Sequence, residues 1–186
     1  MKKSRRKLFW NMQRKLMGCD MVNVHDVKEF PVFVLVDDRR SFIGFAIKNH
    51  SHGCYNHIAE LFMPDMLASQ DIVGYRMVGV SKYLKRRYML KFWAYTGKRQ
   101  TELIDCIKDD LKSSVRQRRY DFLGIIGQLL HINWINNPKT YFCSERASKH
   151  LRQIGMKLPK HPSPSELNQL FKTKTSMECL GYWVSD

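Results

Sequence analysis

The stretch "TYFCSERASKHLRQIG", residues 140–155, predicts a change from extended backbone to helix at a single cysteine. Its first three residues are β-branched or aromatic, which favours an extended conformation. After Cys143 the apolar side chains keep the four- and three-residue spacing of a helix face, at Ala147, Leu151 and Ile154. Gly155 then provides the left-handed cap that ends many helices. The stretch therefore predicts a helix that begins near Cys143 and ends before Gly155.

The position of Cys143 leaves two interpretations open. The first turn of a helix has unpaired N–H groups and the positive end of the helix dipole, and both favour a thiolate. A thiolate is the nucleophilic form of cysteine, so the position predicts a lowered pKa and a reactive thiol. Free cysteine is also one of the most buried residue types, and a space-filling thiol fits the same position.

Segments on both sides of this stretch predict an α+β fold with an antiparallel sheet packed against helices. Residues 30–38, 72–80 and 88–95 are rich in β-branched and aromatic residues and predict strands, as does "CLGYWV" near the end. Thr101 opens a helical pattern, an apolar run at 119–130 predicts a buried helix, and Ser163 with Pro164 predicts an N-cap and a first helical residue. The predicted organisation is a basic helical arm at 1–18 and a single domain at 19–186.

Composition limits the class of protein. A chain of 186 residues with 44% hydrophobic residues can bury a core. No apolar run approaches the ~20 residues of a membrane span, and the basic start lacks the continuous apolar centre of a signal peptide. The five cysteines are an odd number without paired spacing, which predicts reduced thiols. These features together predict a cytoplasmic protein.

The positive charge predicts attraction to polyanions. The formal net charge is +15, and residues 82–99, "KYLKRRYMLKFWAYTGKR", mix cations with aromatic residues. Such a composition suits contacts with nucleic acid, anionic membrane or an acidic polymer, and it does not choose among them.

A cysteine nucleophile needs a nearby base, usually histidine. His57 is the best placed, because it lies early in the predicted extended segment "YNHIAELFMP"; the alternatives are His25, His131, His150 and His161. Another interpretation of the same region is a zinc site, since "HSHGCYNH" contains His50, His52, Cys54 and His57. That site would require Gly53 to turn the chain, because His57 would otherwise face away from the other three.

The order of these segments resembles the circularly permuted papain-like hydrolases, the NlpC-type, YiiX-like branch with many phage-encoded members. The resemblance covers residues 30–170: "GFAIKNHSHGCYNHIAELF" is similar to the family's histidine segment, "RRYDFLGIIG" to the segment before the cysteine, and "YFCSE" to the cysteine motif. "LPKHPSPSEL" is similar to its closing helix start. The histidine precedes the cysteine, as in the permuted order.

The resemblance implies a thiol hydrolase or acyltransferase with Cys143 as nucleophile and His57 as general base. The backbone N–H of Cys143 would contribute to an oxyanion hole, and no metal or organic cofactor is implied. Ser144 and Glu145 would cap or position the helix, and two further matching residues, Tyr120 and Asp121, would pack or hydrogen-bond.

The family's third polar residue, on the strand after the histidine, has no plain counterpart in "ASQDIVGYRMVGV"; Asp71 and, as an alternative, Tyr75 are the candidates. The substrates implied are peptide or isopeptide bonds of the cell wall and lipid amides or esters. The competing hypothesis is a basic binding protein for nucleic acid, anionic membrane or a phage assembly, on the same fold but without catalysis.

Overall fold

The computed structural model describes residues 20–38, 47–48, 53–71, 73–85, 88–113 and 141–184, which form an α+β structure with one antiparallel sheet. Its strands are β1 Val32–Asp38, β2 His57–Met63, β3 Met66–Asp71, β4 Gly74–Gly79, β5 Tyr88–Tyr95 and β6 Met177–Val184. The α-helices in the described part are α1 Gln100–Lys112, α2 Cys143–Gln153 and α3 Pro164–Lys172. Short 3-10 turns lie at Val24–Asp26 and Val80–Lys82.

The strand order is β4-β3-β2-β1-β5-β6, so β1 lies inside the sheet with β2 and β5 on its two sides. Strands β1 to β4 follow one another along the chain and across the sheet, and β2 turns into β3 through the two residues Pro64 and Asp65. Asp65 has a positive φ of 56°, a left-handed conformation that aspartate tolerates in tight turns.

Strand β1 is buried on both faces of the sheet, which explains why its first five residues, 32–36, are an uninterrupted apolar run. Phe33 and Leu35 face the core that the three helices cover, whereas Val32, Val34 and Val36 face a second core on the other side. Side chains alternate between the faces of a strand, so a strand buried on both faces shows no polar alternation. The helix-side core includes Cys143, Ala147 and Leu151 of α2.

The starts of α2 and α3 follow from their sequences. Ser163 caps α3 by accepting a hydrogen bond from the Glu166 N–H (3.2 Å), and Glu166 accepts in return from the Ser163 N–H (2.6 Å). At the start of α2, Phe142 is extended and its N–H donates to the Glu145 carboxylate (3.1 Å). This contact makes Cys143 the first residue of the helix.

The structure confirms the α+β class, the antiparallel sheet and the helices that begin close to Thr101, at Cys143 and at Pro164. It also confirms Gly155 as the left-handed residue after α2, with φ 87°. Strand β3 is an addition that the sequence did not predict, and the extended residues before Cys143 are not one of the six strands. The predicted arm at 1–18 and the buried helix at 119–130 lie outside the described residues.

Candidate active site

His57 is the first residue of β2, and its ring is held through one nitrogen. Nε2 lies 3.0 Å from the Ser69 hydroxyl and 3.0 Å from the Tyr83 hydroxyl, and the two hydroxyls lie 2.8 Å from each other. The ring also stacks on Tyr83, with centroids 5.8 Å apart. Ser69 comes from β3 and Tyr83 follows the 3-10 turn at Val80–Lys82, so three separate segments fix the imidazole.

The sheet opens beside His57. Strand β1 pairs with β2 as far as Val36 and His57, whereas β3 pairs with β2 only as far as Ala59 and Ser69. The first two residues of β2 therefore have no β3 partner. The N-terminal turn of α2 packs beside these two residues of β2, and the Ile58 N–H donates a hydrogen bond to the Cys143 sulfur.

Cys143 and His57 approach the start of β2 from its two faces. Ile58 and Cys143 belong to the helix-side core, whereas Ala59 and Tyr83 belong to the core on the opposite face of the sheet. His57 lies on the same face of β2 as Ala59, because side chains two residues apart in a strand share a face. No hydrogen bond joins the imidazole to the sulfur among the described residues. Burial is the main reason why the pKa of the Tyr83 hydroxyl, which contacts His57, is raised; negative charge at Asp71 or at Cys143 acts in the same direction.

Burial raises the pKa of Cys143 to about 11. The backbone N–H groups of Ile58, Ser144 and Cys143 itself hydrogen-bond the sulfur and act in the opposite direction, but the loss of hydration outweighs them. The pKa lowering predicted from the position at the end of the helix is therefore wrong for the resting protein. The predicted position of the thiol in the first helical turn is confirmed.

His57 is neutral at physiological pH in this environment. Burial, with a smaller effect of the nearby Lys82 ammonium, lowers its pKa to about 4 against the opposing effect of the Asp71 carboxylate. Thiol and imidazole are thus both uncharged in the resting site.

The two residues proposed for the third catalytic position have other partners. Asp71 accepts hydrogen bonds from Lys82 (2.8 Å) and Arg76 (3.0 Å) through one oxygen. These bonds outweigh the effect of burial and lower the pKa of the Asp71 carboxyl. The Tyr75 hydroxyl donates to Glu60 (2.6 Å), on the helix side of the sheet. Neither hydrogen-bonds His57; the residues in that place are Ser69 and Tyr83.

A second polar cluster joins the cysteine helix α2 to α1 and β2, and sequence reasoning missed it. The fully buried His150 lies between two carboxylates, with Nδ1 2.7 Å from Glu60 and Nε2 2.9 Å from Asp110. Asp110 also accepts from Arg146 (2.6 Å) and Lys149 (2.8 Å). Burial alone would lower the pKa of His150, but the two carboxylates at its ring nitrogens outweigh that effect and raise it, which favours the imidazolium.

The remaining candidates are divided between described and undescribed residues. Glu145 caps α2 as expected and contacts His161 through its other oxygen, and Ser144 follows the cysteine in the same buried turn. His25 is exposed and pairs with Asp65. The other predicted residues lie outside the described part of the chain: His50, His52, Tyr120, Asp121 and His131.

Comparison with known proteins adds no family: no protein-family model matches the chain, and no curated protein matches it significantly. None of the helices in the described part of the chain has the length and apolar character needed to cross a membrane.

Proposed function

We propose that this protein is a thiol hydrolase or acyltransferase that cleaves an amide or ester bond, with Cys143 as nucleophile and His57 as acid and base. One observation carries the proposal. Where β3 separates from β2, a thiol in the first turn of a helix accepts a hydrogen bond from the N–H of Ile58, the residue that follows His57. Two buried hydroxyls orient that histidine. A nucleophile, a base and a group that orients the base are the parts such chemistry requires.

The reaction proceeds in two balanced steps. In the first, the Cys143 S–H bond breaks as its sulfur bonds to the carbonyl carbon and the proton passes to His57. The imidazolium then returns the proton to the departing amine or alcohol, which leaves a thioester. In the second, water or another acceptor attacks the thioester while His57 takes the acceptor's proton; the carbon–sulfur bond breaks, and His57 passes the proton to the released thiolate, which restores the thiol.

Backbone donors at the sulfur favour this chemistry. The N–H groups of Ile58, Ser144 and Cys143 act on the sulfur and favour its negatively charged form. An oxyanion hole requires fixed N–H groups at the carbonyl oxygen of the substrate. The contribution of the Cys143 N–H to such a hole, which the resemblance implies, is part of the proposal.

The resemblance of the sequence to the permuted papain-like hydrolases supports the same assignment and suggests the substrates. These are cell-wall peptides, isopeptides, and lipid amides or esters. The net charge of +15 favours substrates presented on an anionic surface, such as nucleic acid, membrane or an acidic polymer.

Turnover of unactivated acyl donors tests the proposal. Peptide amides, isopeptides, fatty-acyl amides and esters are incubated with the wild type, Cys143→Ser, His57→Gln and Cys54→Ser, and the released acids are measured by mass spectrometry. Cys54 is exposed and outside the site, so Cys54→Ser is the matched control. We expect turnover and a Cys143 acyl adduct in the wild type and control, and neither in Cys143→Ser.

Equal turnover by Cys143→Ser would contradict the proposal. Absence of turnover and adduct with every donor, together with salt-sensitive binding to DNA or anionic vesicles, would favour the basic binding protein instead. The net charge and the raised pKa of the buried thiol favour that second function, the basic binding protein.

A further inference from the structure

The groups around Nε2 of His57 form a closed triangle. Its three sides are Nε2 to Ser69 Oγ (3.0 Å), Nε2 to Tyr83 Oη (3.0 Å) and Oγ to Oη (2.8 Å). Ser69 is 0% and Tyr83 4% exposed, so both hydroxyls are shielded from water. Within the described part of the chain, neither hydroxyl has a hydrogen-bonding partner outside the triangle.

Counting protons shows that only one tautomer satisfies this triangle. Each hydroxyl carries one proton. If Nε2 is unprotonated, it accepts a hydrogen bond from one hydroxyl, and the second hydroxyl donates to the oxygen of the first. Both hydroxyl protons then have an acceptor. If Nε2 carries a proton, it cannot accept; one hydroxyl donates to the other, and the remaining hydroxyl proton has no acceptor. A buried donor without an acceptor is costly enough to disfavour that state by about tenfold or more.

We infer that Ser69 and Tyr83 act as positioning residues that hold Nε2 of His57 unprotonated, so that the resting imidazole carries its proton on Nδ1. The stacking of the ring on Tyr83 keeps Nε2 directed at both hydroxyls. Nδ1 has no hydrogen-bonding partner among the described residues, and His57 is only partly buried, so a proton on Nδ1 disrupts none of the hydrogen bonds described for the ring.

This tautomer makes the candidate nucleophile latent. Because the hydroxyls occupy Nε2, Nδ1 is the nitrogen left to receive the Cys143 proton, and it cannot do so while it carries one. Activation then requires the imidazole proton to move to Nε2 before or during substrate attack. This consequence rests on the proposed function, whereas the tautomer itself rests on the triangle alone.

Nitrogen-15 NMR of the histidine side chains tests the tautomer without any substrate. At pH 7, well above the His57 pKa of about 4, the ring is neutral and each nitrogen gives either a pyridine-type or a pyrrole-type shift. We expect pyridine-type Nε2 and pyrrole-type Nδ1 in the wild type. A pyrrole-type Nε2 in the wild type would overturn the inference.

Variants separate selection of the tautomer from general packing. Ser69→Ala and Tyr83→Phe each leave one hydroxyl donor for Nε2, so each should keep the wild-type tautomer. The double variant leaves none and should shift the Nε2 signal toward the pyrrole type. Tyr88→Phe, which removes a hydroxyl from the ring that packs edge-on against Tyr83, is the matched control. A double variant that folds and keeps a pyridine-type Nε2 would also overturn the inference.

Alkylation of Cys143, followed by peptide mass spectrometry, connects the tautomer to the thiol. We expect the double variant to alkylate up to about tenfold faster than the wild type, and the single variants to remain close to it. The expected tautomers with unchanged alkylation would support the inference and count against the proposed pairing of Cys143 with His57. Failure of the inference and failure of the proposed function are therefore distinguishable.

Discussion

Replacing His150 by alanine should destabilise the protein strongly. The imidazolium is fully buried and donates to Glu60 at 2.7 Å and to Asp110 at 2.9 Å. Asp110 would keep Arg146 and Lys149 as partners, whereas Glu60 would keep, among the residues that the structure describes, only the Tyr75 hydroxyl. An uncompensated buried charge is the costly outcome of breaking such a pair, so we expect the free energy of unfolding to fall by about 3–5 kcal/mol.

His25 provides the matched control for this experiment. It makes a contact of the same kind, with Asp65 at 2.8 Å, but its side chain is 57% exposed. Exposed ion pairs contribute about 0–1 kcal/mol, so His25→Ala should be nearly neutral. Urea unfolding at pH 6 measures both losses. Similar losses for His150→Ala and His25→Ala would refute the argument that burial sets the energy of the cluster.

The pH dependence of the same difference provides a second check. The pKa of His150 is raised above 6.5 in the folded protein. The folded state therefore holds a proton that the unfolded state releases first, and the contribution of His150 is complete below pH 6.5. It is lost as the pH rises through the raised pKa. The gap between the wild type and His150→Ala should thus narrow at alkaline pH, and a gap that widens there would contradict the imidazolium assignment.

Further predictions concern the site, the surface and the helix caps. The pKa of His57 is lowered from 6.5 to about 4, so its contribution to stability is complete above pH 6.5 and should be lost as the pH falls toward 4. The expected loss in the free energy of unfolding is about 3 kcal/mol, and His57→Gln should abolish this pH dependence in urea unfolding. Alkylation of Cys143 should keep accelerating up to about pH 11 and, at pH 7, be slower than that of the exposed Cys54; faster Cys143 labelling at pH 7 would contradict the raised pKa. Ser163→Ala should cost ~1 kcal/mol through loss of the α3 cap, whereas Ser163→Gly should cost only a few tenths, both measured by thermal melting. Retention on DNA or anionic vesicles should weaken steeply with salt; retention independent of salt would remove the role proposed for the charge.

The elements that the sequence predicted are those whose side chains match their local backbone. Strand β5 is "YMLKFWAY", aromatic and apolar along its length, and α3 begins with the serine and proline that favour its first turn. Strand β3 is "MLASQD", whose last four residues are weak strand formers. It is a strand because β2 and β4 pair with it on both sides. Tertiary pairing of this kind leaves no local signal.

The groups that orient His57 illustrate the same limit. The sequence directed attention to the strand after the histidine and to its carboxylate, Asp71, which shares a face with Ser69 two residues earlier. Register decides between them, because Ala59 pairs with Ser69 and brings that hydroxyl within 3.0 Å of the ring. The alternating spacing could have pointed to Ser69. Tyr83 is 26 residues from His57 and follows a 3-10 turn, and no pattern in the sequence connects them.

The error over the Cys143 pKa has a quantitative cause. A helix end contributes about 0.3–1 kcal/mol to a nearby charge when it is exposed, and up to about 2 kcal/mol when it is partly buried. A pKa of about 11 instead of the ordinary ~8.5 corresponds to roughly 3 kcal/mol against the thiolate, after the three N–H groups have acted. The position along the chain reveals the dipole, but only the packing of α2 against β2 reveals the lost hydration. The helix dipole does not stabilise the thiolate enough to form it before the substrate binds, so the proposed chemistry requires His57 to remove the proton as the sulfur attacks. In that chemistry the tautomer of the His57 imidazole controls the reactivity of the site.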